Sequence, residues 1–386
     1  MKSALFPIRR SRLLSSIATV ASLVFAIATD RPVYAGEDPV PIRIGAISPF
    51  TGDGARYGEA ARSGIDLAVS EINAKGGIHG RQVSIQYEDD KGNPKDAVSA
   101  FNKLVHADGV PAVLGPFYSG NVLAVAPIAN RERVVLLTGS ATSDNIREAG
   151  EFVFRVCPSN DEQARTLARY ARERLQLKSA FILYRNADYG VTLWKAFEKT
   201  FVDMGGVIVG KEAVDPDAST VKAQLTLVKA AKPDLIFAAM HYPEASALLR
   251  ESKEMGVPSL IMGTDGAHDP KLLELAGNAA ENSYWVTIGW GNLNPDSAAS
   301  MFHKAYRSRY HQEPGVYSGL YYDAAHVLAN AMTAVTSTMD GSSIHNALVN
   351  IRYEGPTGVT KFDQKHDVSK SFTVYQVKEG NFIPVQ

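Results

Sequence analysis

The chain has 386 residues, with 40 lysine and arginine side chains against 41 aspartate and glutamate side chains. A chain so close to neutral, without basic runs, lacks the positive surface that nucleic acids require, so no nucleic-acid partner is expected. The single cysteine, Cys157, excludes an intrachain disulfide, so stability has to come from packed cores.

The first 35 residues are typical of a cleavable export signal. Basic side chains lie between positions 2 and 12, residues 13–28 are largely apolar, and Val33-Tyr34-Ala35 provides a small-residue cleavage site. A membrane-spanning helix is the alternative, but the apolar stretch is short and ends at Asp30-Arg31. Cleavage would leave 35 basic and 40 acidic side chains and place the protein in the periplasm, by the Sec or the twin-arginine route. No later segment is long and apolar enough to insert in a membrane.

The first predicted unit after the leader is a strand, a helix and a second strand. The strand covers residues 42–47, and apolar or small side chains then recur with helical spacing between positions 60 and 72. The helix ends at Gly76-Gly77, and an alternating strand over residues 83–88 leads to Asp89-Asp90. This βαβ pattern indicates a sheet whose ligands bind beyond the carboxyl ends of its strands.

The alternation of strands and helices continues along the chain. Further strands are predicted at residues 112–115, 134–137, 180–184, 207–209, 235–238, 260–262 and 284–288. Helices are predicted between them, at residues 94–107, 121–131, 161–175, 189–204, 220–231, 243–255 and 269–276. Short apolar strands between helices indicate parallel sheets covered on both faces, and so many strands require two sheets. The fold class is therefore α/β with two lobes.

The pattern changes after Gly289. Three consecutive helices are predicted at residues 296–310, 317–335 and 342–349, followed by a β-like tail at 372–376 and 382–385. Pro158, the Gly289/Gly291 pair and the turn at residues 355–358 could serve as hinges.

Four segments of the first unit resemble one protein family. They are Tyr57-Gly58-Glu59, residues 71–80 (EINAKGGIHG), residues 87–90 (YEDD) and residues 93–98 (NPKDAV). Together they resemble the first lobe of periplasmic leucine/isoleucine/valine-binding proteins. This resemblance implies the type I periplasmic binding protein fold, with two Rossmann-like lobes joined by three crossovers near residues 157–161, 288–292 and 355–360. Its predicted organisation is a signal peptide (1–35), lobe one (36–157), lobe two (158–290), a return to lobe one (291–355) and a tail in lobe two (356–386).

Two strand ends in the first lobe carry hydroxyl groups. Ser119 follows the strand at 112–115 and precedes a helix, where it is either a helix N-cap or a ligand for an anion at the positive end of the helix dipole. The next strand ends in the small residues 138–142. In the family that the chain resembles, such segments hold the carboxylate of an amino acid, which implies that role for Ser119, Ser140 with Ala141, and Thr142.

The second lobe offers side chains at three strand ends. The resemblance places Tyr189 over the ligand, His241 and Tyr242 at an aromatic pair, and Asp265 against the ligand's ammonium group. From the residues alone, His241-Tyr242 could equally be loop surface and Asp265-Gly266 an ordinary turn. Tyr189, His241 and Tyr242 would form one wall of an aromatic cleft. The other residues predicted to line this cleft are Arg56, Tyr57, Phe117, Tyr118 and Tyr317.

An enzyme is the competing interpretation. Gly52, Gly54 and Gly58 follow the first strand, and Asp89 ends the second strand where a dinucleotide-binding enzyme holds a ribose. Four residues separate the strand from the first glycine, so the tight turn that delivers a pyrophosphate to the helix is missing. Asp89 and Asp90 could also be a catalytic carboxylate pair. However, adjacent residues of a strand point to opposite faces of the sheet, so the two carboxylates could not act on one substrate. A solvated strand end is the better interpretation.

The sequence therefore predicts the periplasmic substrate-binding component of an ABC importer, without catalysis, cofactor or metal. Its expected ligand is an amino acid with a branched, larger apolar or aromatic side chain, and its expected partner is the permease in the inner membrane. An aromatic carboxylate, an amide or urea is the alternative ligand. An exported NAD(P)-dependent enzyme is the less favoured function.

Overall fold

The computed structural model describes residues 40–216, 218–291 and 293–385. The predicted signal peptide lies outside the described residues. Within them, no helix combines the length and the apolar run that crossing a membrane requires.

The first sheet has five parallel strands in the order β2-β1-β3-β4-β5. In chain order its elements are β1 (Ile42–Ser48), α1 (Ala55–Ala74), β2 (Val83–Asp89), α2 (Pro94–His106), β3 (Ala112–Leu114), α3 (Ser119–Glu132), β4 (Val135–Thr138) and β5 (Val153–Arg155). Every residue of β3, β4 and β5 is buried. The apolar composition of these strands thus follows from helices covering both faces of the sheet.

The second sheet has seven strands in the order β14-β13-β10-β9-β8-β6-β7. Its first elements are α4 (Asn160–Arg169), β6 (Ser179–Arg185), α5 (Asp188–Asp203), β7 (Val207–Val214), α6 (Lys222–Ala231), β8 (Leu235–Ala239), α7 (Tyr242–Glu254), β9 (Leu260–Gly263), α8 (Pro270–Ala276) and β10 (Tyr284–Ile288). A π-helical turn at Tyr170–Arg174 follows α4. Strands β6 to β10 pair in parallel, as the sequence predicts.

The last part of the chain contributes to both lobes. Its elements are α9 (Ala298–Tyr310), α10 (Val316–Ala334), α11 (Gly341–Leu348), β11 (Tyr353–Gly355), β12 (Gly358–Thr360), β13 (Phe372–Lys378) and β14 (Asn381–Val385). Helix α10 packs against α1, and a Cβ atom on Gly64 would lie 2.1 Å from Ser318 O, so these helices approach closely through a glycine.

The structure confirms two α/β lobes and differs from the prediction at several elements. Strand β7 extends to Val214 instead of ending at residue 209, and the helix predicted at residues 161–175 ends at Arg169 before the π-helical turn. Strands β13 and β14 pair antiparallel at the edge of the otherwise parallel second sheet. The three-residue strand β5 and the β11–β12 hairpin were not predicted, because they are too short to show a period and, unlike the wholly apolar β3, they contain the charged residues Arg155 and Glu354. The predicted lobe limits remain predictions.

Candidate ligand-binding cleft

The loop after β3 reaches the carboxyl end of β1 through a glycine. Gly115 has a φ angle of +97°, and a Cβ atom there would lie 2.1 Å from Ile47 O. The loop then presents Phe117 and Tyr118, and Tyr118 is the N-cap of α3 without a side-chain capping bond. The interpretation of Ser119 as the N-cap is therefore wrong. Its hydroxyl accepts a hydrogen bond from Ser143 N at 3.2 Å, which links the two loops.

The loop after β4 presents a buried hydroxyl. Thr142 is fully buried, and its Oγ1 atom has no hydrogen-bond partner among the described residues. Ser140 Oγ donates to Phe117 O at 2.8 Å, and Ala141 is 1% exposed beside it. A buried polar group without a partner costs about 1 to 3 kcal/mol, so the Thr142 hydroxyl is suited to bind an atom that enters the cleft.

Arg155 binds the backbone of the loop after β4, a role that was not identified from the sequence. Its side chain is fully buried, and it makes a bidentate ion pair with Asp367, with Nε–Oδ1 at 2.5 Å and Nη2–Oδ2 at 2.7 Å. Its Nη1 atom donates to Thr142 O at 2.9 Å and to Ser143 O at 2.8 Å. The ion pair thus joins the loop after β4 to a segment more than 200 residues further along the chain. No local motif signals such a pair.

A buried carboxylate lies in the second lobe. Asp265 is 3% exposed, and its Oδ1 atom lies 2.8 Å from Tyr189 Oη and 2.8 Å from Gln163 Nε2. Gln163 Oε1 also accepts from Asp265 N, so this glutamine, absent from the sequence predictions, fixes the position of the acid. Burial raises the pKa of Asp265, while the hydrogen bonds from Tyr189 and Gln163 oppose that rise.

Aromatic rings from both lobes pack together beside this carboxylate. His241 stacks on Tyr189 at 4.6 Å between ring centroids and lies 5.1 Å from Tyr118. Tyr57 stacks on Phe117 at 4.7 Å. His241 and Tyr242 are only 5% and 7% exposed, so their interpretation as loop surface is wrong.

Direct contacts close the cleft. Tyr57 Oη donates to Gly266 O at 2.5 Å, and Tyr242 Oη donates to Asp53 O at 2.7 Å. An ion pair joins Arg56 Nε and Asp269 Oδ1 at 2.5 Å. These contacts connect the loops of the first sheet to those of the second sheet.

A cavity of about 400 Å³ lies between the two sets of loops. Five of the ten predicted site residues line it: Tyr118, Ser119, Ser140, Tyr189 and His241. The other five, Tyr57, Ala141, Thr142, Tyr242 and Asp265, are buried near it but do not line it. The wall also includes Phe117, Tyr317, Lys91, Pro216 and Arg185. The sequence did not indicate the contribution of Arg185, which forms a buried ion pair with Glu244.

Asp89 and Asp90 have separate structural roles. Asp89 accepts hydrogen bonds from Phe50 N at 2.8 Å and Thr51 Oγ1 at 2.5 Å, so it holds the loop where a ribose would have to bind in a dinucleotide enzyme. Asp90 is fully buried and accepts from Asn121 Nδ2 at 2.8 Å. Burial raises the pKa of Asp90 to about 6. The interpretation of this pair as a solvated strand end is wrong for Asp90.

The single cysteine is buried, and no cluster of potential metal ligands is found among the described residues. Cys157 is buried, which raises the pKa of its thiol to about 12. The part of the chain that the structure describes contains no group of three or more histidine, cysteine and acidic residues positioned to hold a metal ion.

Comparison with known proteins gives one family. The model of a family described as periplasmic binding protein matches residues 41–381. The Leu/Ile/Val-binding protein BraC3 of Rhizobium johnstonii is 30% identical over 372 residues, which cover 95% of this chain and 97% of that protein.

Two solved structures extend the likeness to three dimensions. The leucine-binding protein LivK of Thermotoga maritima has a TM-score of 0.84 at 28% identity, covering 89% of this chain and 98% of that one. The branched-chain amino acid transporter substrate-binding protein LivJ of Streptococcus pneumoniae, in complex with isoleucine, has a TM-score of 0.83 at 30% identity, covering 89% and 99%.

Proposed function

The chain belongs to the periplasmic binding protein family, and from that membership we propose that it is the solute-binding component of an ABC importer. The relatives are transporter proteins that bind substrates, and this chain is proposed likewise to bind without catalysis. Its partner is the permease of the importer. The periplasm is its proposed location, reached through the signal peptide predicted over residues 1–35.

The proposed ligand is an amino acid held between the lobes. One observation carries this proposal: the buried, unpaired hydroxyl of Thr142 lies in one lobe and the buried carboxylate of Asp265 in the other. Ser119 and Thr142, with the Ser140-Ala141 backbone, would hold the ligand's carboxylate. An ammonium group would compete with Tyr189 and Gln163 for Asp265. The relatives LivK and LivJ, which bind leucine and isoleucine by name or in complex, support an amino acid.

Ligand binding would act by shifting the lobes toward the closed arrangement. A ligand that contacts both lobes stabilises the closed form by the difference between its affinities for the two forms. The bonds from Tyr57 to Gly266 and from Tyr242 to Asp53 exist only while the lobes meet. The permease would then recognise the closed form.

An aromatic carboxylate is the second candidate ligand. Phe117, Tyr118, Tyr189, His241 and Tyr317 line the cavity with rings, which suits a flat apolar body. Asp265 already accepts hydrogen bonds from protein donors, so a ligand without an amine would leave it satisfied. Comparison of an amino acid with its deaminated analogue separates the two candidates.

Removing either anchoring hydroxyl is expected to weaken amino-acid binding about tenfold or more. A hydrogen bond to a charged group contributes about 1.5 to 3 kcal/mol, which corresponds to at least this factor in Kd. Titration calorimetry with leucine and isoleucine on the native protein, Ser119→Ala and Thr142→Val measures the loss.

The control for these variants is Thr287→Val. Thr287 is also buried, and its hydroxyl has no partner among the described residues, but it lies within strand β10, whereas Thr142 lies in the loop after β4. We expect the control to keep native affinity. Native affinity in both anchoring variants would mean that the carboxylate binds elsewhere.

Ligand binding is also expected to lower the radius of gyration. Hinge closure around a ligand brings the lobes together, and X-ray scattering with and without saturating ligand measures the change. A curve that does not change while calorimetry shows tight binding would place the site within one lobe.

A matched pair of tyrosine variants tests the same closure. Tyr242→Phe removes the hydrogen bond to Asp53 between the lobes, whereas Tyr310→Phe removes a 2.9 Å bond to Ser63 O within one lobe. A hydrogen bond contributes about 0.5 to 1.5 kcal/mol, so only Tyr242→Phe should weaken ligand affinity, by about two- to tenfold.

A further inference from the structure

One histidine of the cavity wall has a buried ring nitrogen without a hydrogen-bond partner among the described residues. Among the described residues that line the cavity, only His241 has a buried side-chain nitrogen or oxygen without a hydrogen bond, its Nδ1 atom. Most buried polar groups in folded proteins are paired, so an unpaired one calls for an explanation. Because His241 lines the cavity, its imidazole lies beside the space that a ligand would fill.

Packing fixes the orientation of this ring. One face stacks on Tyr189 with an angle of 16° between the rings, and Tyr118 lies 5.1 Å away between centroids. The Cδ2 edge contacts Gly266, where an added Cβ atom would lie 2.5 Å from it. The imidazole is therefore held by neighbours on its faces and one edge, so Nδ1 has little freedom to turn toward another protein group.

The ring is neutral in the closed cleft. Burial lowers the pKa of His241 well below its usual value, and the positive charge of Arg185 lowers it further. A neutral imidazole offers one N–H donor and one nitrogen acceptor. His241 is thus equipped for a hydrogen bond with an uncharged polar group.

We propose that His241 determines specificity by hydrogen bonding to a polar group on the ligand's side chain. The cleft then takes amino acids whose side chains carry a hydroxyl or an amide in preference to purely aliphatic ones. This inference rests on the proposed function, in which Ser119 and Thr142 hold the carboxylate and Asp265 holds the ammonium group. With both charged ends bound there, the side chain is the part of the ligand left to meet His241.

The size of the cavity agrees with this ligand class. A volume of about 400 Å³ corresponds to roughly 13 water volumes, which leaves room beyond the carboxylate and amine for a polar side chain. An aliphatic side chain in the same place would exclude water and leave the imidazole without a hydrogen-bond partner. That penalty corresponds to a preference of about ten- to a hundredfold for the polar ligand.

Three pairs of amino acids of similar shape test the proposal. They are threonine with valine, asparagine with leucine, and tyrosine with phenylalanine. Calorimetry on the native protein should show at least one pair in which the polar member binds about tenfold tighter or more. His241→Phe keeps an aromatic ring on Tyr189 but removes both nitrogens, so it should abolish or reverse that preference. His241→Gln keeps a donor and an acceptor and should retain part of it.

Three outcomes of these titrations would contradict the proposed role of His241. Tighter binding of the apolar member in every pair, unchanged by His241→Phe, would overturn the proposal while leaving amino-acid binding intact. Equal loss for both members of a pair in His241→Phe would make His241 a packing residue and overturn it as well. No binding of any of the six amino acids to the native protein would overturn the proposed function itself, and this inference with it.

Discussion

Replacing Asp265 by asparagine is expected to weaken amino-acid binding by about 2 to 5 kcal/mol, because the change removes the negative charge but keeps the shape of the side chain. Asp265 is 3% exposed, so little water reaches the site. A buried ammonium group without an opposite charge costs several kcal/mol. Titration of the native protein and the variant with the same amino acid, by calorimetry, measures the loss.

The control is the deaminated acid that matches this amino acid. It has the same carboxylate and side chain but no amine, so Asp265→Asn should change its affinity much less. A general structural defect would weaken both ligands alike. If the two losses are equal, or if the amino acid binds as before, Asp265 is only a turn residue and a simple carboxylate is the ligand.

Replacing Asp367 by asparagine is expected to lower the free energy of unfolding by about 3 to 5 kcal/mol. The change leaves the fully buried guanidinium of Arg155 without its carboxylate. Because Arg155 also donates to the carbonyl oxygens of Thr142 and Ser143, ligand affinity should fall together with stability. Urea denaturation followed by circular dichroism measures the first effect, and calorimetry the second.

Asp203→Asn is the matched control for this variant. Asp203 pairs with Lys199 on the surface of α5, where the two side chains are 61% and 77% exposed. Exposed pairs contribute about 0 to 1 kcal/mol, so the control should unfold almost as the native protein does. If Asp367→Asn lowers the free energy of unfolding by no more than the control does, the ion pair between Arg155 and Asp367 does not hold the loop after β4.

Most of the fold could be predicted from the sequence because its signals are local. The helix α1 has an apolar face with the helical period, and the buried strands β8 and β10 were predicted within one residue of their observed limits. The short strand β5 and the β11–β12 hairpin were missed because they show no period and, unlike the equally short but wholly apolar β3, each contains a charged residue.

Five of the ten site residues predicted from the sequence line the cavity, and local signals explain why they were found. Tyr189 and His241 follow neighbouring strands of the second sheet, and Ser119 follows a strand of the first sheet, so each lies at the carboxyl edge of its own sheet. The family resemblance implied that these two edges face each other across the cleft. The order of elements does not show whether these side chains are buried or exposed. His241-Tyr242 has the composition of a surface loop, but rings of both lobes bury it: Tyr189 of the second lobe stacks on His241, and Tyr57 of the first lobe lies 5.1 Å from Tyr242 between ring centroids.

The sequence by itself determined the α/β class, the family and the strand ends that line the candidate cleft. The tertiary structure alone decided which distant side chains support those ends: Arg155 with Asp367, and Gln163 with Asp265. A helical or strand period is written in neighbouring residues, because each turn or pleat repeats over a few positions. An ion pair between residues more than 200 positions apart has no such period, because it depends on how the lobes and their crossovers pack.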